Sequence, residues 1–174
     1  MNNALIEQRA ERLLRECDAL RVPVALEKVM RHLGLLSQAR SLADASGVLV
    51  VENGRGVIGY NAIHSQVRQR FTIAHEIGHY VLHVRNKQQR LFVDRSVFRR
   101  DEESSTGNDL EEVQANKFAA ALLMPEALLR TEIRRLDSDL DDEVDIGDLA
   151  RRFAVSAAAM SFRLENLGLV RGQR

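Results

Sequence analysis

Apolar residues recur at helical spacing from the start of the chain: Leu5, Ile6, Leu13, Leu14, Cys17 and Leu20 share one stripe, with Asn2 or Asn3 placed to cap it. A second amphipathic helix is expected from Pro23, with Leu26, Val29, Met30 and Leu33 inward and Gly34 at its end. The period then changes. Val48 to Val51 and Val57-Ile58 are β-branched runs split by Asn53-Gly54, which predicts a β-hairpin from Gly47 to Tyr60. Ser65 is placed to cap a long helix reaching His83, with Phe71, Ala74, Ile77, Val81 and Leu82 as its apolar surface. Short strands are expected at Leu91-Phe92-Val93 and Val97-Phe98, followed by a Ser104–Asn108 loop. Another helix runs from Asn108 to Met124 and stops before Pro125, because the residue preceding a proline is pushed out of helical geometry; Pro125 can open the next helix. Near the end, Ile146 to Phe153 and Ser156 to Leu167 read as two short helices joined by Ala154-Val155 and closed by Gly168, a helix-turn-helix-like pair.

This order predicts an α+β, mostly helical fold with a small β-sheet. The expected organisation is a core over residues 1–136, then an acidic linker and C-terminal helical subdomain over residues 137–174. At 174 residues the chain can bury a core without disulfides or other staples. Its 25 basic and 25 acidic residues cancel, so nothing global points to a polyanionic partner. Charge is uneven locally: residues 137–148 hold seven acids and no base, whereas residues 149–174 hold Arg151, Arg152, Arg163, Arg171 and Arg174 against Glu165. A calcium loop built on Asp137, Asp139 and Asp141 is disfavoured, because Asp142 stands where an EF-hand needs glycine; a solvated linker is expected instead. The single Cys17 excludes an internal disulfide. The opening residues are too charged for a secretion signal and no apolar stretch approaches bilayer length, so a cytoplasmic location with no membrane contact is expected.

The chemistry concentrates in His75-Glu76-Ile77-Gly78-His79. Two imidazoles four residues apart lie on one helical face and can reach one ion. In a chain of this composition chance yields only about 0.01 such motifs. Zn²⁺ takes imidazole nitrogens at ~2.0–2.1 Å, and a catalytic site keeps one position open for water. Glu76, beside that water, can act as general base. Gly78 costs roughly 0.8–1.0 kcal/mol in a helix interior relative to alanine, so something is expected to pass close to the backbone there.

Two histidines leave a ligand missing. His83 lies a further turn along the same helix, too far to centre the ion, and is expected to make a polar contact at the helix end. Glu112 is the better source, since it shares a helical stripe with Ala115, Asn116 and Ala119, whereas Glu111 points about 100° away and is expected to be solvated. Tyr60 and His83 are candidate oxyanion stabilisers, and Arg70 is expected to be structural. The hairpin and the Leu91–Phe98 segment are candidate cleft edges for an extended substrate.

Arg70-Phe71-Thr72-Ile73-Ala74 before the histidine motif, Glu112-Val113-Gln114-Ala115-Asn116, Phe118-Ala119-Ala120 and Leu122-Leu123-Met124-Pro125 together resemble the ImmA/IrrE family of metallopeptidases. The resemblance covers Ile58 to Pro125 and extends to the C-terminal helices. It implies a zincin-like, gluzincin-like site in which His75, His79 and Glu112 bind zinc and Glu76 is the catalytic acid/base. Gln114 stands where many relatives carry another acid, a departure that touches no expected ligand. The resemblance also implies a substrate class, a helix-turn-helix repressor whose cleavage releases mobile-element or stress-response genes. Because the opening helices lack a recognition-helix pattern, that repressor is expected to be a separate chain. Two alternatives remain at this point: a DNA-binding protein acting through the basic C-terminal helices, and a metal-bearing regulator that binds its partner without cutting.

Overall fold

The computed structural model describes residues 1–52, 55–84, 89–94, 108–136 and 143–169. The Asn53-Gly54 turn, the Val97-Phe98 segment, residues 104–107 of the expected loop and residues 137–142 of the expected acidic linker lie outside these.

Helix α1 (Asn3–Glu16) begins where Asn2 Oδ1 accepts the Leu5 N–H at 2.9 Å, satisfying one of the donors that a helix start leaves open. It buries Ile6, Ala10, Leu13 and Leu14. Just past it, Cys17 Sγ donates to the Leu13 carbonyl, and burial pushes the thiol pKa up, away from a reactive thiolate. Helix α2 (Leu26–Leu33) ends at Gly34 in the left-handed conformation, as expected. It starts three residues later than Pro23. The reason is tertiary: the Val24 carbonyl accepts a hydrogen bond from Arg70 of the later motif helix at 3.0 Å, and the Ala25 N–H reaches back to Ala19, so the chain becomes helical only at Leu26. Arg70 is structural, and its burial lowers its pKa.

Among the described residues, four strands form the sheet in the order β1-β3-β2-β4: β1 (Leu35–Arg40), β2 (Gly47–Glu52), β3 (Arg55–Asn61) and β4 (Gln89–Asp94). The expected hairpin is β2 with β3, antiparallel, Gly47 opposite Tyr60 and Glu52 opposite Arg55. The sequence pattern did not predict β1. It pairs in parallel with β3, and only that long-range ladder makes it a strand, since Leu35 is its one buried residue. Leu49, Val51 and Ile58 turn inward and join one buried cluster with the helices.

Helix α3 (Gln66–His79) carries the motif and continues as a π-helical turn over Tyr80–Val84, so the expected helix reaching His83 changes its winding just after His79. It packs against α4 (Asn108–Leu123) on one side and against β2 and β3 on the other. Pro125 precedes α5 (Glu126–Ile133) as its N-cap. Helix α6 (Glu143–Phe153) starts three residues before the expected Ile146 and takes in acids assigned to the linker; α7 (Ala157–Asn166) is capped by Ser156, whose Oγ accepts the Ala159 N–H. Leu149, Phe153, Met160 and Leu164 belong to the same buried cluster as α1 and α4. Of the described C-terminal arginines, Arg151 and Arg152 stay exposed whereas Arg163 does not. Arg163 is buried and grips the Glu7 carboxylate and the Met124 carbonyl, Arg152 pairs with buried Glu132, and Arg151 pairs with Asp148. No helix among the described residues is long and apolar enough to cross a membrane.

Candidate metal centre

The spacing of His75 and His79 places both rings on the face of α3 turned toward α4, with Nε2 atoms 3.0 Å apart and ring centroids 4.6 Å apart, edge to face. From α4, Glu112 spans the pair: Oε2 lies 3.2 Å from His75 Nε2 and Oε1 lies 3.1 Å from His79 Nε2. The three side chains form a group able to hold a metal ion. Both histidines are buried, while the Glu112 side chain is 44% exposed, so the centre opens on the carboxylate side. Partial burial pushes the Glu112 carboxyl up in pKa. Where the His75 and His79 rings are protonated, their hydrogen bonds and charge outweigh it and hold the group far below the usual carboxylate range. Glu76 lies one residue beyond His75 and is fully buried.

Why Glu112 reaches the histidines is answered by Gly78. A Cβ there would lie 3.0 Å from the Ala115 carbonyl oxygen, 3.1 Å from Ala115 Cα and 3.3 Å from Phe118 Cβ, so the missing side chain is what lets α4 close on α3. Alanine would gain about 0.8–1.0 kcal/mol in helix propensity. Forcing two packed backbones apart costs about 1–3 kcal/mol, and the cost wins. Gly78→Ala is therefore expected to lower the melting temperature and, by shifting the helix that carries Glu112, to weaken metal binding. An unchanged melting curve with an unchanged metal titration would refute this.

The sequence pattern placed Asn116 on the Glu112 stripe but gave it no role. Its Oδ1 lies 3.0 Å from His75 Nδ1. An amide oxygen only accepts, so Nδ1 must donate, which leaves the Nε2 lone pair of the neutral ring directed at Glu112 and His79. The signal was available: Asn116 is one turn beyond Glu112 on the same face. Asn116→Ala is expected to weaken metal affinity about 10–100-fold, measured by competition with a chromogenic chelator; wild-type affinity would remove the orienting role.

The profile for the IrrE N-terminal-like domain, peptidase M78, matches residues 18–165. The chain belongs to this metallopeptidase family. No curated protein matches it significantly. The match spans α2 through α7 and so includes the C-terminal helices as well as the motif. Among the remaining candidates, Glu111 is not simply solvated: its Oε1 lies 4.0 Å from His83 Nδ1, and the His83 ring sits 5.7 Å from that of His79, so a second histidine–carboxylate pair stands one turn beyond His79. Tyr60 is half-buried opposite Gly47 in the sheet register.

Proposed function

We propose that this protein is a zinc-dependent endopeptidase of gluzincin-like architecture that cleaves a separately encoded helix-turn-helix repressor in the cytoplasm. The observation that carries the reading is the convergence of His75, His79 and Glu112, whose donor atoms are separated by 3.0, 3.1 and 3.2 Å. A tetrahedral ion with bonds of ~2.0–2.1 Å separates its ligand atoms by about 3.3–3.4 Å, a few tenths more than these spacings. Two neutral imidazole lone pairs and a carboxylate facing one another repel unless a cation lies among them, and two nitrogens with one oxygen suit zinc.

When bound there, zinc would supply Lewis acidity, polarising the scissile carbonyl and lowering the pKa of water toward ~7. Glu76 would take the proton of the attacking water and return it to the leaving amine nitrogen. Asn116 would hold the His75 ring in the tautomer that keeps Nε2 available. Glu112, ionised at neutral pH as a carboxylate ordinarily is, would be the third ligand. Entry is from the exposed Glu112 side. The start of β2 and the end of β4, where Gly47 pairs with Asp94, would border the groove that takes an extended segment of substrate.

Within this reading, the C-terminal helical subdomain that follows the acidic linker would close the 1–136 core with α6 and α7. The DNA-binding alternative loses Arg163, which is buried against Glu7 and cannot reach a phosphate. The test is cleavage of a purified helix-turn-helix repressor encoded beside this protein, before and after chelation. Cleavage is expected to stop on metal removal and to return with zinc; a repressor left intact through long incubation with zinc would favour the non-cleaving regulator.

A further inference from the structure

The start of β2 is pressed against the motif helix. A Cβ built on Gly47 would lie 2.4 Å from Thr72 Cγ2 and 2.7 Å from Glu76 Oε1, separations at which something must shift. Gly47 does not have the positive φ of Gly34 or Gly168, so it is space, not torsion, that requires glycine here. Neither surface is free to retreat. Strand β2 is paired on both sides, with Gly47 opposite Tyr60 and Asp94. The preceding loop is tied by buried Asn61, whose side-chain amide donates to the carbonyls of Leu42 at 2.8 Å and Ala45 at 3.1 Å and whose backbone N–H donates to Ser46 O at 2.9 Å. Arg68 of α3 donates to Ser46 Oγ at 3.0 Å, fastening the loop to the motif helix. On its far side α3 is already in backbone contact with α4 at Gly78.

We infer that Gly47 is a positioning residue for Glu76: the space left by its absent side chain is the slot in which the carboxylate sits, and the tethered backbone of β2 fixes where that carboxylate points. The proposal rests on the reading of Glu76 as general base. A methyl group in the slot would displace the carboxylate while leaving His75, His79 and Glu112 in place, so the proton-transfer geometry would suffer and the metal would stay.

Three measurements test this on the full-length protein. Gly47→Ala is expected to retain its bound metal and to lose about 10²-fold in kcat on whichever repressor the wild type cleaves, with KM little changed. Adding Thr72→Ser removes the nearer obstacle, Cγ2, and is expected to restore part of the lost melting temperature while kcat stays low. A purely structural glycine would recover both together, and that result would overturn the proposal, as would wild-type kcat in metal-loaded Gly47→Ala. In a thermal double-mutant cycle, Gly47→Ala is expected to lower the melting temperature less in a Glu76→Ala background than in wild type. Equal losses, or failure to fold in both backgrounds, would show that Glu76 is not what fills the slot; folding only in the Glu76→Ala background would establish the contact. A wild type inactive on every repressor would sink the peptidase reading, and the thermal cycle would still decide whether Gly47 sets Glu76.

Discussion

Glu76→Gln is expected to keep its metal and lose cleavage by about 10²–10⁴-fold, the usual contribution of a positioned general base. The substitution isolates one property. Glutamine has nearly the volume of glutamate, so it can occupy the same buried position against Gly47 and Thr72. It cannot accept a proton as a carboxylate does. Glu76 does not belong to the converging donor set, which is His75, His79 and Glu112, so removing its charge should leave metal stoichiometry unchanged. His75→Ala provides the opposite result: it deletes a ligand, and both metal and activity should go. Metal analysis after gel filtration, run beside a gel-based cleavage assay, separates the two variants. Equal cleavage by wild type and Glu76→Gln would strip Glu76 of the proton-transfer role, and loss of metal from Glu76→Gln would make it part of the metal shell.

The parts of the centre legible in the sequence are those set by position along one helix. His75 and His79 meet because they are four residues apart on α3, and Glu112 with Asn116 because they are four apart on α4. Gly78 was legible as an anomaly, since a glycine within an otherwise ordinary helix implies a close neighbour, though only the fold shows that the neighbour is Ala115. What could not be read depends on contacts between distant segments. Strand β1 exists because β3 supplies its ladder, and its own apolar pattern is too weak to announce it. Gly47 looked like the first residue of a hairpin, and nothing local to it indicates that Glu76 lies against its backbone. The burial of Arg163 was hidden in the same way. A charged residue on a short helix is read as solvated unless a partner is visible, and the partner of Arg163 is 156 residues away.

That distant pair gives the largest expected effect on stability. The Arg163 guanidinium is 6% exposed and forms a fork with the Glu7 carboxylate while its Nε donates to the Met124 carbonyl at 3.1 Å. It thereby joins α1, the end of α4 and α7. Glu7→Gln would leave the guanidinium buried without its counter-charge, a change that costs about 3–5 kcal/mol for a fully buried pair and about 2–4 kcal/mol here, because Glu7 is 35% exposed. At about 2–4 °C per kcal/mol for a chain of this size, the melting temperature should fall by roughly 5–15 °C. Arg163→Met removes the charge that needs a partner and fills similar volume, so it should cost less than Glu7→Gln despite deleting more hydrogen bonds. Arg12→Ala, which breaks an exposed pair with Glu16, should shift stability by no more than about 0.5 kcal/mol. Because Leu149, Phe153, Met160 and Leu164 share the buried cluster of α1 and α4, Glu7→Gln should still unfold in one transition. A separate early transition in calorimetry would instead mean that α6 and α7 are an independently melting unit, fastened to the core chiefly by this ion pair.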